Sequence, residues 1–249
     1  IRHWSQVTGI LADGDAPNQL KTTPLGQKLF GRHGWDPYME NPATLWLIHW
    51  LMSGRAEKTT WYWAFNYYPN SVFEREHLVK GLEKLVTECR WGKISGSTIK
   101  RDVECFVRTY VPKPPSPKTT FEEALESPLT ELGLIKPVGK RDGFRFVRGP
   151  KSSLGRGVFL FALIDFWKNY STARTLSFET IAHEPGSPGR VFLLDESDLA
   201  DRLMQLDQDS KGKFRWSETA GLKQIIRDID LDLDTAFQFI DEDFQFRHN

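Results

Sequence analysis

Two stretches decide the fold: Ser95-Gly-Ser-Thr-Ile-Lys-Arg-Asp-Val-Glu-Cys-Phe-Val-Arg-Thr-Tyr110 and Gly133-Leu-Ile-Lys-Pro-Val-Gly-Lys-Arg-Asp-Gly-Phe-Arg-Phe-Val-Arg148. In the first, Ile99, Val103, Phe106, Val107 and Tyr110 recur at helical spacing, and Ser95 or Ser97 offers an N-cap hydroxyl. Lys100, Arg101, Glu104 and Arg108 fall on the other side. In the second, apolar and polar residues alternate on both sides of Gly139-Lys-Arg-Asp, which reads as a β-hairpin with a basic tip. Arg145, between Phe144 and Phe146, projects away from the core side of its strand. Three helices followed by such a hairpin make a winged helix-turn-helix, in which one helix meets the major groove and the wing grips flanking phosphates. Lys100, Arg101, Arg108, Lys140, Arg141, Arg145 and Arg148 are the candidate DNA-binding residues on this reading. The plainer alternative is a solvated hairpin whose cations keep the protein soluble.

Working outward, Asn41 to Ser53, Thr59 to Tyr68 and Glu74 to Cys89 have helical periodicity, the last with Leu78, Leu82, Leu85 and Val86 on one face. Upstream, Ile1 to Leu11 reads as a helix that starts without a cap, so a preceding segment is expected. Leu20 to Thr23 follows as a short strand, and Pro24 to Gly31 as a brief helix with Pro at its first position. Val111 to Lys118 holds four prolines and reads as a linker. Downstream, helices are expected at Val158 to Tyr170, Leu176 to Ala182, Glu196 to Leu206 and Glu218 to Ile229, with a short strand at Lys213 to Trp216. The fold class is mainly α with small β-hairpins, arranged as tandem winged helix-turn-helix modules. The expected division is 1–35, the second half of a first module; 36–155, a central module; and 156–249, a C-terminal module with an acidic end.

Charge and composition narrow the function. The 249 residues carry 33 Lys+Arg and 33 Asp+Glu, which excludes a polycation or an acidic tail as the whole story. The balance conceals a polarity. Lys136 to Arg156 has seven basic residues against one acid, and Asp228 to Asn249 has seven acids against one basic residue. Local density governs phosphate contact, so the overall neutrality does not argue against nucleic acid. No apolar run is long enough to span a membrane, and Ile1-Arg-His-Trp is no signal peptide. Cys89 and Cys105 fit neither a zinc site nor a disulfide framework and read as reduced thiols of a cytoplasmic protein.

Catalytic signatures are sparse. Asp207 to Glu218 resembles a calcium loop at its first, third, sixth and twelfth positions, but Lys211 occupies a ligand position. A helix–wing–helix junction with Phe214 and Trp216 facing the core is the better reading. Asp228, Asp230, Asp232 and Asp234 alternate, and in an extended segment their carboxylates would share one face, as a hard-metal nuclease site requires. In a loop they would be a solvated acidic edge or a docking patch. His49, between Trp46 and Trp50, reads as a satisfied core histidine, and these tryptophans, with Trp61 and Trp63, as core. GxSxG, GxxxxGK[ST] and GxGxxG are all absent, so no nucleotide or organic cofactor is expected.

Several strings together carry a family resemblance. They are Thr23-Pro-Leu-Gly, Asp36-Pro-Tyr-Met-Glu-Asn-Pro-Ala-Thr-Leu-Trp-Leu-Ile-His-Trp50, Trp61-Tyr-Trp-Ala-Phe-Asn66 and Thr98-Ile-Lys-Arg-Asp-Val-Glu-Cys-Phe-Val-Arg-Thr-Tyr110. The sequence resembles the SspB-like family, a domain of unknown function associated with DNA phosphorothioation and anti-phage defence. The resemblance spans nearly the whole chain, although the family's upstream Gly-His-Glu-Thr-Phe-like stretch is absent. It implies a DNA-nicking protein acting on double-stranded DNA; the hydrolysis of a phosphodiester in turn calls for a divalent ion, Mg or Mn, held by carboxylates. The protein's companions would be a cysteine desulfurase, an ATPase and a sulfur-transfer enzyme. The alternatives are a non-catalytic DNA-binding adaptor that docks through the acidic end, and a winged-helix transcription regulator.

Overall fold

A computed structural model describes residues 2–16, 18–56, 59–92, 94–112, 126–139 and 142–245. The protein is mainly α-helical with three small antiparallel sheets. Two helices organise it. One is α3, Pro42–Ser53, after a start formed by α1 (Arg2–Val7), β1 (Leu11–Asp13), β2 (Leu20–Thr22) and α2 (Pro24–Phe30). Every residue of α3 from Ala43 to Ser53 is buried, as a helix that is apolar all round must be. Asn41 caps it, its side chain accepting from the Ala43 N–H at 2.9 Å, and Pro42 supplies a preset first turn.

Around α3 lie α4 (Thr59–Asn66), β3 (Val72–Glu74), α5 (Arg75–Glu88), α6 (Gly96–Tyr110), a 3-10 turn at Pro128–Leu132, β4 (Ile135–Val138) and β5 (Gly143–Phe146). The three strands form a sheet in the order β3-β5-β4. The second organising helix is α7 (Arg156–Tyr170), buried from Gly157 to Trp167. It is followed by β6 (Thr175–Ser177), α8 (Phe178–His183), α9 (Pro188–Val191), α10 (Glu196–Met204), α11 (Leu206–Asp209), β7 (Phe214–Thr219), β8 (Leu222–Arg227) and α12 (Leu233–Gln245). This sheet runs β6-β8-β7. Counted from α4 in the first group and α7 in the second, and leaving out the short α9, α11 and the 3-10 turn, both groups run helix, strand, helix, helix, hairpin, with the last strand in the middle of the sheet; α3 precedes the first run and α12 follows the second.

The core is continuous across both groups. Trp46 and Trp50 of α3 pack on Phe192 with ring centroids 5.7 and 5.5 Å apart. His49 joins three elements: Nε2 donates to the Val191 carbonyl, and Nδ1 accepts from the Tyr110 hydroxyl, each at 2.8 Å. Because a carbonyl only accepts, this arrangement specifies the Nε2–H tautomer. The core-histidine expectation holds, and Trp46, Trp50 and Trp61 are buried as expected. α12 lies along α7, where the Asp243 carboxylate accepts from the N–H groups of Gly157 and Val158 at 3.0 and 2.7 Å. That satisfies two of the donors left open at the start of α7.

Three expectations need correction. The first helix ends at Val7; Gly9 turns the chain at φ +70°, and Leu11 pairs with Thr22 instead. Leu176 to Ser177 is strand, and helix α8 begins only at Phe178 behind the Ser177 cap. Glu218 to Ile229 is not a helix. Ala220 and Gly221, both at positive φ, close a hairpin that pairs β7 with β8, and Ile225 enters the core from the strand. The alternation around two neighbouring isoleucines is visible in the sequence, but the turn takes its shape from two left-handed residues of which only one is glycine.

Candidate nucleic-acid interface

The Ser95 side chain caps α6, accepting from the Thr98 N–H at 3.2 Å. Ile99, Val103, Phe106, Val107 and Tyr110 are buried, which fixes the rotation of the helix and leaves Lys100, Arg101 and Arg108 exposed. The hairpin meets this helix through Arg75, at the start of α5. Its Nε pairs with Glu104 Oε2 at 2.8 Å, its Nη1 pairs with Asp142, and its guanidinium lies 4.7 Å from the centre of the Phe144 ring. One arginine thus ties α5, α6 and the hairpin turn together. It also neutralises two carboxylates that would otherwise repel a polyanion. Arg75 escaped the sequence reading; the only signal is a lone cation at the start of an amphipathic helix. Arg75→Ala is expected to lower stability by about 1–2 kcal/mol in urea unfolding, the sum of partly exposed ion pairs and a cation–π contact.

In the hairpin, Phe144 is buried and sits 5.5 Å from Phe73 of β3. Arg145 therefore points outward. The register sets Arg145 directly opposite Lys136 on one side and Val72 on the other. Like charges opposed across a ladder cost stability, so this pairing is unfavourable unless an anion sits over it. Among the described residues, no carboxylate lies within ion-pair distance of Lys100, Arg101, Arg108, Lys136 or Arg145. Lys140 and Arg141, the expected wing tip, lie outside the described residues.

The rest of the basic cluster is used internally. Arg148 donates through Nη1 to the Leu194 carbonyl at 2.6 Å. Lys151 is buried, its ammonium held by the carbonyls of Val147 and Gly149 at 3.0 and 2.9 Å; burial pushes its pKa down. Arg156 pairs with Asp209 at 2.8 Å. Arg148 joins the hairpin's exit to the second group of helices, Lys151 braces the exit itself, and Arg156 pairs within the second group. Arg148 is thus removed from the set of outward cations.

The acidic end is likewise taken up. Asp228 pairs with Arg215 at 2.8 Å, Asp230 with Arg227 at 3.6 Å, and Glu242 with Lys211 at 2.7 Å. Asp232 accepts from the Thr235 N–H and hydroxyl at 2.7 and 2.9 Å, bonds that hold its carboxyl below the usual range. Asp234 already lies in the first turn of α12. The extended row of four carboxylates does not form, and among the described residues no three His, Cys, Asp or Glu side chains gather around a point where a metal ion could sit. The Asp207–Glu218 stretch is the junction expected, with Phe214 fully buried and Trp216 against the core.

Comparison with known proteins gives consistent matches. The family described as a protein of unknown function, DUF4007, matches residues 1–244. A magnesium ion-bound SspB crystal structure is 28% identical with a TM-score of 0.82, covering 100% of this chain and 76% of its own. A second SspB crystal structure is 27% identical with a TM-score of 0.81 and the same coverage. No curated protein matches the chain. No helix among the described residues is long and apolar enough to cross a membrane.

Proposed function

We propose, from the premise that the chain belongs to the DUF4007 family and is SspB-like, that it is a double-stranded DNA-binding component of a bacterial DNA phosphorothioate modification and defence system. The shared order of helix, strand, helix, helix and hairpin supports reading each group as a winged helix-turn-helix, with α6 as the reading helix and the β4–β5 hairpin as the wing. On that reading the two modules span 36–155 and 156–249, and residues 1–35 are the second half of an earlier one. A single observation carries the proposal: Lys100, Arg101, Arg108, Lys136 and Arg145 form an outward set of cations without carboxylate partners among the described residues. Phosphate contact is what such a set does best. The expected companions are the cysteine desulfurase, ATPase and sulfur-transfer enzyme of the same system.

The test is fluorescence anisotropy with a short duplex across a salt series. Lys100→Glu, Arg101→Glu and Arg145→Glu combined should weaken binding at every sequence. The slope of log K against log salt should flatten by about 0.9 for each phosphate that is no longer neutralised. Unchanged affinity at low salt would sink the proposal.

We propose further that the protein nicks one strand, with Mg or Mn required. The Asp228–Asp234 carboxylates do not fit as the ligand set, since three of them are committed to Arg215, Arg227 and Thr235. Supercoiled plasmid incubated with Mg²⁺ or Mn²⁺, with and without EDTA, separates nicking from the rival reading of a non-catalytic adaptor. Relaxed circles that vanish with chelator support the enzyme, and duplex binding with no relaxed product supports the adaptor. The engagement of those aspartates argues against them as the metal ligands and leaves the choice between enzyme and adaptor to this assay.

A further inference from the structure

A furrow follows the junction between the two groups of helices. It consists of two clefts of ≈ 590 and ≈ 520 Å³ that share Pro185 on their walls. Tyr62 in the first and Tyr67 in the second are 5.8 Å apart, ring to ring. Each cleft is of a size that takes a small molecule, or one or two unpaired nucleotides, and not a duplex.

The lining is cationic. Arg55 and Lys168 border the first cleft, and Arg148 and Arg190 the second. The carboxylate among the described lining residues is Asp165, already held by Trp50 Nε1 at 2.9 Å and by Arg55 at 3.3 Å. Arg190 donates to the carbonyls of Asn66 and His183, both at 2.6 Å, and Arg148 to that of Leu194. Carbonyl partners fix a guanidinium without cancelling its charge. The second cleft therefore holds two like charges, each fixed by neutral acceptors. A bound anion would relieve that repulsion.

The furrow is also aromatic and rigid. Tyr67 and Tyr170 are 54% and 47% exposed. Tyr170 stacks on Phe166 at 5.1 Å and 25°, which supports one face of its ring and turns the other to solvent. The floor is pinned by Asn66: its amide donates to the Ser53 and Tyr62 carbonyls, and its oxygen accepts from the Gly186 N–H at 2.7 Å. Gly186, at φ +83°, lies where an added Cβ would come within 3.3 Å of the Tyr62 ring. Aromatic platforms interleaved with fixed cations are what binds single strands without regard to sequence: bases stack and the backbone follows the charge.

We propose that this furrow holds a single DNA strand, with bases on Tyr67 and Tyr170 and phosphates against Arg55, Lys168, Arg148 and Arg190. The inference rests on the DNA-handling reading above and adds to it a second site, distinct from the outward cations of α6 and the hairpin.

The test measures anisotropy of a labelled single strand of about 12 nucleotides and of a short duplex, using the whole chain. Tyr67→Ala combined with Tyr170→Ala is expected to weaken the single strand by about thirty-fold or more and leave the duplex within about two-fold. Lys168→Glu, at an exposed position of α7, should do the same without touching an aromatic. An abasic strand of equal length should lose affinity with Lys168→Glu and not with the tyrosine pair, because it has no bases to stack. Unchanged single-strand affinity in both variants overturns the furrow, as does a wild-type protein that holds duplex and no single strand. Single-strand binding that responds to these variants, alongside duplex binding indifferent to Lys100, Arg101 and Arg145, overturns the role of those three cations and leaves the furrow standing.

Discussion

Between pH 6.5 and pH 4 the folded protein is expected to lose about 3 kcal/mol of stability through His49. Burial, opposed by the bond to Val191 and assisted by the nearby charge of Lys151, lowers this imidazole from 6.5 to about 4. The unfolded chain takes up the proton as pH falls through 6.5, while the folded chain refuses it until about 4. Stability from this group is therefore complete above pH 6.5, declines through the interval, and is flat below it. A difference of about 2.5 pKa units corresponds to about 3 kcal/mol. Asp243 works the other way, because burial pushes its carboxyl up. Urea unfolding at a series of pH values checks the prediction. His49→Gln should remove most of the slope between 6.5 and 4. A wild-type slope that survives the substitution unchanged would show that other groups carry it.

Gly157→Ala should cost about 3 kcal/mol, the upper part of the usual range for overpacking. A Cβ there would lie 2.1 Å from the Phe239 carbonyl oxygen and 2.7 Å from its carbon. Both are backbone atoms of α12, so neither can swing aside as a side-chain end would. Helix propensity alone favours alanine by about 1 kcal/mol, so the sign of the measured change decides between propensity and packing. Gly96→Ala is the control. Its Cβ would meet only Glu83 Oε1 at 3.3 Å, the far end of a flexible side chain, and it should be neutral or mildly stabilising. If both variants gain stability in thermal or urea unfolding, α7 and α12 do not approach as closely as described.

The elements that could be read from sequence are those whose signal is local. The α6 stripe and its Ser95 cap, the Asn41-Pro42 start of α3 and the alternation of the Gly133–Arg148 hairpin follow from spacing and chemistry within a few residues. β3 is invisible in the sequence because three residues, Val72 to Glu74, give no periodicity; they are strand only because β5 lies beside them. The charge clusters mislead for a related reason. Counting cations from Lys136 to Arg156 cannot separate Lys136 and Arg145, which face water, from Lys151, which faces two carbonyls, or Arg156, which faces Asp209. Tertiary packing decides that. The furrow has no local signal at all, since Tyr67 and Arg190 meet there only through the packing of α4 on α9.

The repeated topology has a geometric consequence. A regulator assembled from two identical subunits has a dyad, and a duplex seated on it looks the same read from either end. Here the two units share an element order but not a sequence, and they are joined head to tail in one polypeptide. Because their sequences differ, no exact two-fold axis can exchange them. A double helix lying across both would meet two different surfaces, so its two strands would not be equivalent to the protein.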